Sequence, residues 1–209
     1  PYNAPNIYRY MFPYYDIVNI PILSPTSERI EYYEGRGGIP AFVAEDGITN
    51  VHYYISKYDG AIKYVDNQIG FLMESLEKLD LDKHTIIIIT ADHGEFLGEH
   101  NIFFSHVTPL FEEVIRVPLI IKYKGKLPEN RIIEYQVESI DIVPTILDFA
   151  GIKKPKTFEG KNLFSFQRRL KNYALCENGK RGVFHYSIRT DDWKLISRDL
   201  NQRALKPIG

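Results

Sequence analysis

The segment Thr85-Ile86-Ile87-Ile88-Ile89-Thr90-Ala91-Asp92-His93-Gly94-Glu95 decides the fold class of this chain. Its first six residues are a continuous β-branched run, which predicts a strand that is apolar on both faces. Such a strand belongs in the middle of a sheet that is covered on both sides, as is typical of parallel α/β proteins. Residues 117–121 form a second run of this kind, and Pro118 should lie at its beginning because proline cannot donate a ladder hydrogen bond. We therefore predict an α/β fold with a mixed, mostly parallel sheet flanked by helices.

The segments around these two strands predict helices and a small second sheet. Apolar residues recur at three- and four-residue steps between residues 62 and 79, which indicates an amphipathic helix with one buried face (Ile62, Val65, Ile69, Leu72, Leu76 and Leu79). Residues 139–150 read as another helix that ends at Gly151. Residues 182–189 and 193–197 alternate in polarity and predict an antiparallel hairpin. We predict a large domain over residues 1–165, irregular and loop-rich in residues 1–50, and a small antiparallel segment over residues 166–209.

Composition excludes several classes of protein. The 209 residues are 44% hydrophobic and 25% charged, which is typical of a globular chain, and the net charge is −1. Nucleic-acid binding is not expected, because such proteins usually carry a basic excess that neutralises phosphates. No apolar run is long enough to predict a membrane span. Cys176 is the one cysteine, which excludes an internal disulfide and a thiolate metal cage. The cellular compartment is not indicated.

Asp92 and His93 are the first candidates for a functional site. They follow the buried strand directly, and ligands of open α/β sheets bind outside the carboxyl ends of the strands. A carboxylate oxygen and an imidazole nitrogen are both competent metal ligands. Gly94 lets the backbone turn away closely. The same dipeptide also suits a helix cap next to a hydrogen-bonded surface histidine, so the pattern by itself leaves both interpretations open.

The longer context resembles the sulfatase family of the alkaline-phosphatase-like superfamily. Four ordered blocks carry the resemblance, namely residues 58–70, 90–101, 110–121 and 139–152. The second block contains the elements Asp-His-Gly-Glu and Leu-Gly-Glu-His. The third contains Phe-Glu-Glu and Arg-Val-Pro-Leu-Ile. The resemblance implies that the chain carries the latter half of a sulfatase-like catalytic domain and acts on a small-molecule or carbohydrate sulfate ester. A nucleic-acid partner is not expected, because the net charge is −1.

The resemblance also implies roles for individual residues. Asp92 and His93 fall on two ligands of the family's divalent cation, for which Ca²⁺ is expected and Mg²⁺ is the alternative. His106 falls near the position of a lysine that contacts the ester, and it is expected to donate to a substrate oxygen or to act as the leaving-group acid. Glu95 is expected to support His93 or the turn, and His100 is expected to be structural. For His106 the alternative is a loop histidine bonded to backbone.

The sequence departs from the family pattern in its nucleophile. Sulfatases carry a Cys or Ser in a Cys/Ser-x-Pro-x-Arg motif that becomes formylglycine, and no such motif occurs here. Cys176 has neither the proline nor the arginine, and the family's early pair of aspartate ligands is also missing. We therefore expect a fragment that is inactive alone and lacks the amino-terminal half of its domain. A phosphatase, phosphodiesterase or phosphoethanolamine transferase of this superfamily, or a non-catalytic domain of the same fold, remains the alternative.

Overall fold

The computed structural model describes residues 2–26, 34–107, 109–165, 172–180 and 183–199. Within these residues the helices are α1 (Asn6–Arg9), α2 (Val51–Lys78), α3 (Glu112–Ile115) and α4 (Ile142–Phe149). The strands are β1 (Ile22–Leu23), β2 (Ile39–Pro40), β3 (Ile87–Thr90), β4 (Phe96–Leu97), β5 (Phe103–Ser105), β6 (Leu119–Lys122), β7 (Ala174–Lys180), β8 (Val183–Arg189) and β9 (Lys194–Asp199). None of the helices in this part of the chain is both long and apolar enough to cross a bilayer.

The chain folds into two compact units. The first comprises Pro1–Val107 and Glu112–Leu127, and the second comprises Thr108–Phe111 and Pro128–Gly209. All the candidate site residues belong to the first unit. The division into domains 1–165 and 166–209 stays a prediction.

The core of the first unit lies under the amino-terminal part of α2. Asn50 caps this helix by accepting a hydrogen bond from the backbone N–H of His52. Val51 and Tyr54 then pack with the buried side chains of Ile39, Val43 and Phe104. The Tyr54 hydroxyl donates to the carbonyl of Ile48 at 2.8 Å, which ties the preceding loop to the helix. This core fixes α2 and the strand β5 relative to each other.

The predicted buried face of α2 is not buried along the whole helix in this structure. Ile62, Val65, Leu72 and Leu79 are 53–68% exposed. The core contacts only the first turns, and the helix then runs on for about 27 Å because each residue adds about 1.5 Å. Amphipathic spacing shows which residues share a face, but it does not show how far along the helix a covering element extends.

The predicted mostly parallel sheet is not confirmed by the described residues. Strands β3 and β6 pair antiparallel, with Ile88 opposite Ile121, while β1 and β2 form a short parallel pair. An apolar run indicates burial but carries no information about the direction of the neighbouring strand, so it did not predict the antiparallel pairing of β3 with β6. Pro118 lies just before β6, as its missing N–H predicts. Ile120 is 57% exposed, so one face of this pair is not fully covered.

The second unit contains the predicted antiparallel hairpin. Strands β7, β8 and β9 form a three-stranded antiparallel sheet, which confirms the small antiparallel sheet. The turn between β8 and β9 closes with a hydrogen bond from Thr190 N–H to the Trp193 carbonyl at 2.8 Å. Trp193 lies at this turn and is 82% exposed. Strand alternation did not predict this, because residues at a turn do not follow the period of two.

Helix α4 is held by polar contacts rather than by its apolar stripe. Glu138 and Asp141 form a capping box around the short 3-10 turn (Ser139–Asp141) that leads directly into it. Thr145 is fully buried, donates to the carbonyl of Asp141 at 2.7 Å and accepts from the N–H of Leu163 at 2.9 Å. Gly151 follows with a φ of +70°, the left-handed conformation that ends helices.

Candidate active site

The site loop, residues 91–95, connects the end of β3 to β4. Its position depends on Gly94, whose N–H donates to the carbonyl of Val114 at 2.7 Å. A Cβ at this position would lie 1.9 Å from the carbonyl oxygen of Glu113. Only glycine therefore allows the loop to approach the backbone of α3 this closely. The contact places the side chains on either side of Gly94 at the carboxyl end of β3.

Asp92 and His93 present two ligand atoms to the same region. The Asp92 side chain is 88% exposed and that of His93 is 39% exposed. Nδ1 of His93 lies 2.8 Å from the carbonyl oxygen of Gly94, so Nδ1 carries the proton and Nε2 is free to coordinate. Nε2 lies 3.6 Å from Oδ2 of Asp92. Two ligands of one cation, each about 2.0–2.6 Å from it, are separated by no more than about 5 Å.

His106 directly follows β5, and its side chain lies against His93. Its ring stacks on the ring of His93, with 3.9 Å between centroids and 20° between planes. Its Nδ1 lies 3.4 Å from Oε2 of Glu95. Glu95 was expected to accept a bond from His93 or to fix the turn, and the structure shows its carboxylate at His106. The side chains of His93, Glu95 and His106 therefore form one cluster beside Asp92.

Glu95 is the buried member of this cluster. Its side chain is 15% exposed, and its second carboxylate oxygen is buried without a hydrogen-bond partner. Burial raises the pKa of Glu95, and the neighbouring His106 and His93 counteract part of that rise. A carboxylate in this position interacts with a positive or donating neighbour more strongly than an exposed one does, because less water screens it.

His100 lies against Glu113 of α3. It adopts a left-handed backbone conformation, with φ of 56°, and its Nε2 lies 3.4 Å from Oε1 of Glu113. The ring also meets Phe96 edge-on at 6.3 Å. These contacts tie the segment that follows β4 to α3, and the structural role of His100 stays a prediction.

Glu113 was not recognised as the partner of His100 from the sequence. Arg116 comes directly after α3 in the chain. The backbone N–H of Arg116 donates to the carbonyl of Glu112 at 2.9 Å. No spacing rule joins positions 100 and 113, because the contact depends on how the loop packs against α3.

Tyr2 and Tyr58 are two further residues near the site that sequence reasoning missed. Their rings meet edge-on at 5.1 Å, and Tyr2 also contacts Phe104 at 6.1 Å. Burial raises the pKa of each tyrosine, and the negative charge of Glu95 raises it further. Both phenols therefore lie close to the carboxylate that faces His106, although no sequence motif links them to it.

The donor set fits part of a divalent-cation site. Asp92 and His93 supply one oxygen and one nitrogen, whereas Ca²⁺ takes about six to eight ligands. Over residues 2–26, 34–107, 109–165, 172–180 and 183–199, no three His, Cys, Asp or Glu side chains are grouped so that they could hold an ion. The converging pair matches the two expected ligands, but it does not make a complete site by itself.

Comparison with known proteins gives the family. The model of the sulfatase family matches residues 12–152, which is more than half of the chain. The chain belongs to the sulfatase family. The match agrees with the resemblance that the four sequence blocks carry. The second block contains the site loop, the third contains α3 and the fourth contains α4.

Two curated relatives illustrate how much of a sulfatase the chain spans. It is 35% identical over 158 residues to an N-acetylglucosamine-6-O-sulfatase of Bacteroides thetaiotaomicron, covering 68% of this chain and 27% of the relative. It is 30% identical over 206 residues to arylsulfatase K of Canis lupus familiaris, covering 88% of this chain and 36% of the relative. The chain therefore spans about a third or less of the length of these sulfatases.

Solved structures support the same superfamily of folds. One is described as a complex with its substrate D-glucosamine-2-N,6-O-disulfate, with a TM-score of 0.64, 30% identity and coverage of 74% of this chain and 34% of that chain. The other is a phosphonate monoester hydrolase from Silicibacter pomeroyi, with a TM-score of 0.68, 22% identity and coverage of 93% and 44%. The second likeness concerns the fold alone.

Proposed function

We propose that this protein takes part in the metal-dependent hydrolysis of sulfate esters. The observation that carries the proposal is the convergence of Asp92, His93 and His106 at the end of β3 in a sulfatase-family chain. Metal ligands and a proton-transfer group must lie side by side in such a reaction, because the cation and the proton act on oxygens of the same ester.

Asp92 and His93 are the proposed metal ligands, with Ca²⁺ as the expected ion and Mg²⁺ as the alternative. A bound cation would neutralise the charge of the ester oxygens and hold the nucleophile. The contact of His93 Nδ1 with the Gly94 carbonyl supports this role, because it directs Nε2 toward Asp92.

His106 is the proposed donor to a substrate oxygen or to the leaving group. Its side chain is 47% exposed, so a ligand can reach it, and its ring lies against the proposed ligand His93. A positioned imidazole is the commonest general acid or base near neutral pH.

We propose that the nucleophile is a formylglycine carried outside these 209 residues. The sequence contains no Cys/Ser-x-Pro-x-Arg motif, and the relatives are about three times as long as the matched region. The remaining metal ligands would come with it. The 209 residues alone should then turn over nothing.

A sulfated sugar is the proposed substrate class. One relative is named for 6-O-sulfated N-acetylglucosamine, and one solved neighbour is described with a sulfated glucosamine as substrate. The main alternative is transfer or hydrolysis of phosphoryl groups, because a phosphonate hydrolase shares the fold and phosphate and sulfate oxygens suit the same cation.

The test is turnover by the full-length protein that contains these residues. We expect release of sulfate from 6-O-sulfated N-acetylglucosamine, loss of activity on chelation of Ca²⁺, and loss of about 100-fold or more in kcat for His106→Ala. Asp92→Asn should weaken the response to Ca²⁺. His84→Ala is the matched control, because His84 is an exposed histidine in a turn outside the site.

Two results would contradict the proposal. Turnover of p-nitrophenyl phosphate with no release of sulfate from any sulfate ester would select the phosphoryl alternative. Turnover of neither class, together with no formylglycine by mass spectrometry, would indicate a non-catalytic domain.

A further inference from the structure

The contact between Glu95 and His106 is a feature of the site that the proposed role of neither residue explains. The two residues are eleven positions apart, and both lie at the open end of the β4–β5 hairpin, where Glu95 directly precedes β4 and His106 directly follows β5. Phe96 and Ser105 pair across this hairpin and are both buried, so the backbone next to each residue is fixed. The contact is therefore a consequence of the fold rather than of a chance meeting of two mobile side chains.

Burial of Glu95 requires an interaction that compensates for its lost hydration. A buried polar group without a partner destabilises the folded state, and a charged one does so more strongly. One carboxylate oxygen of Glu95 has no hydrogen-bond partner, and the other lies 3.4 Å from Nδ1 of His106. The contact with Nδ1 of His106 is therefore the interaction that compensates the buried Glu95 carboxylate.

The His106 ring is constrained in two independent ways. The stack with His93 fixes the plane of the ring, and the Glu95 contact fixes which edge of the ring faces inward. With Nδ1 directed at Glu95, Nε2 is the nitrogen on the outer edge of a side chain that is 47% exposed. Both constraints are needed. A stack alone still allows the ring to flip by about 180° about its Cβ–Cγ bond, which keeps the plane of the ring but exchanges its two edges.

We propose that Glu95 is a positioning residue that holds the Nδ1 proton of His106, so that Nε2 of His106 is the nitrogen presented to the ester. This inference rests on the proposed function for its catalytic consequence. It differs from the expectation that Glu95 supports His93, because the carboxylate acts on the proton-transfer group rather than on the metal ligand.

The chain offers a matched control for this pair. Glu113 and His100 also form a carboxylate–imidazole contact at 3.4 Å. The ring of His100 meets Phe96 edge-on at 6.3 Å, whereas the ring of His106 stacks on His93. Glu113→Ala therefore removes an equivalent contact without touching the proposed proton-transfer histidine.

The first measurement is the tautomer of His106 in the full-length protein labelled with ¹⁵N-histidine. At about pH 8.5, where an ordinary imidazole is neutral, we expect the proton of His106 on Nδ1 in the parent and in Glu95→Gln, whose amide oxygen still accepts it. Glu95→Ala should shift His106 toward the Nε2–H form. Glu113→Ala should leave the His106 signals unchanged.

The second measurement is steady-state hydrolysis of a sulfate ester by the same proteins. We expect Glu95→Ala to lower kcat about 10- to 100-fold with KM changed less than about twofold, the usual range for loss of a group that orients a site histidine. Glu95→Gln should restore most of that loss, and Glu113→Ala should stay within about threefold of the parent.

The two measurements separate failure of this inference from failure of the proposed function. A parent without sulfatase activity would contradict the function, whereas the tautomer of His106 can be measured in either case. An unchanged tautomer in Glu95→Ala would overturn the inference whatever happens to kcat, and so would a shifted tautomer with unchanged kcat in an active enzyme. If Glu95→Ala folds poorly, Glu95→Leu keeps most of the volume, removes the acceptor and gives the same comparison.

Discussion

At the scale of single residues, the site depends on side chains that lie on both sides of one glycine. Gly94 brings the loop against α3, His93 and Glu95 flank it in the chain, and His106 stacks on His93. The loop has no freedom to relax at this point, because the atom nearest to a new Cβ would be a backbone carbonyl rather than a flexible side chain.

Gly94→Ala should therefore destabilise the protein and disturb the site. The added Cβ would lie 1.9 Å from the Glu113 carbonyl oxygen, so the loop or α3 must move. Overpacking of this kind costs about 1–3 kcal/mol, and urea unfolding of the 209-residue chain would measure it.

Gly70→Ala is the control for this substitution. Gly70 lies within α2, and a Cβ added there would have no neighbouring atom within 4 Å, so alanine should raise stability by up to about 1 kcal/mol. Equal stability of the parent and Gly94→Ala would show that the loop is not held against α3 as the structure describes.

The number of ligands at the site also leads to a prediction at this scale. Asp92 and His93 are two ligands, so Ca²⁺ should bind the 209-residue chain weakly, with Kd above about 1 mM by comparison with weak protein sites. Calorimetric titration would measure this affinity, and Asp92→Asn is the control for binding elsewhere. Tight one-to-one binding that Asp92→Asn abolishes would show that these residues complete a site without further ligands.

At the scale of elements, α2 is anchored by a buried ion pair near its beginning. Lys57 is buried in α2 and forms a hydrogen-bonded ion pair with Glu45 of the preceding loop, and the Tyr53 hydroxyl donates to the same carboxylate at 2.9 Å. These bonds lower the pKa of Glu45, with the Lys57 hydrogen bond as the largest cause and burial acting in the opposite direction. The pair thus ties the loop before α2 to the core described above.

The anchor should make part of the stability dependent on pH. Because the folded-state pKa of Glu45 lies below its ordinary value of 4.5, the pair stabilises the fold fully above that pH and loses its effect as pH falls through the folded-state pKa. We expect Glu45→Gln to be less stable than the parent at pH 7, with the difference shrinking below about pH 4.5.

Urea unfolding as a function of pH would measure this difference. Glu74→Gln is a suitable control, because Glu74 pairs with Lys78 on the exposed surface of the same helix, and such pairs contribute little. A difference between the parent and Glu45→Gln that stays constant from pH 7 to about pH 3 would contradict the linkage argument.

At the scale of the whole molecule, the apolar face of α2 is the most extended exposed apolar surface on a single described element. Ile62, Val65 and Leu72 are each more than half exposed, and Leu79 continues the same face directly after the helix. Contiguous apolar surface of this kind favours association, and a net charge of −1 provides little repulsion between copies.

We therefore expect the 209-residue chain to self-associate through this face. Light scattering after size-exclusion chromatography should show a mass above 24.3 kDa that falls toward this value in a Val65→Glu/Leu72→Glu variant. Ile132→Glu/Ile140→Glu is the matched control, since both residues are at least half exposed and lie outside α2. A monomeric parent at the same concentrations would contradict the prediction.

The sequence by itself determined the features that depend on period and on neighbours along the chain. The β-branched run predicted β3, the missing N–H of Pro118 placed it before β6, and alternation predicted the β8–β9 hairpin. The location of Asp92 and His93 directly after a strand could also be predicted, because chain order alone places them at its end.

Only the tertiary structure decided which distant residues meet. The antiparallel pairing of β3 with β6, the stack of His106 on His93 and the Glu95–His106 contact all depend on packing between segments, which no period encodes. The extent of burial along α2 has the same origin, since spacing assigns a residue to a face but the neighbouring elements determine whether that face is covered.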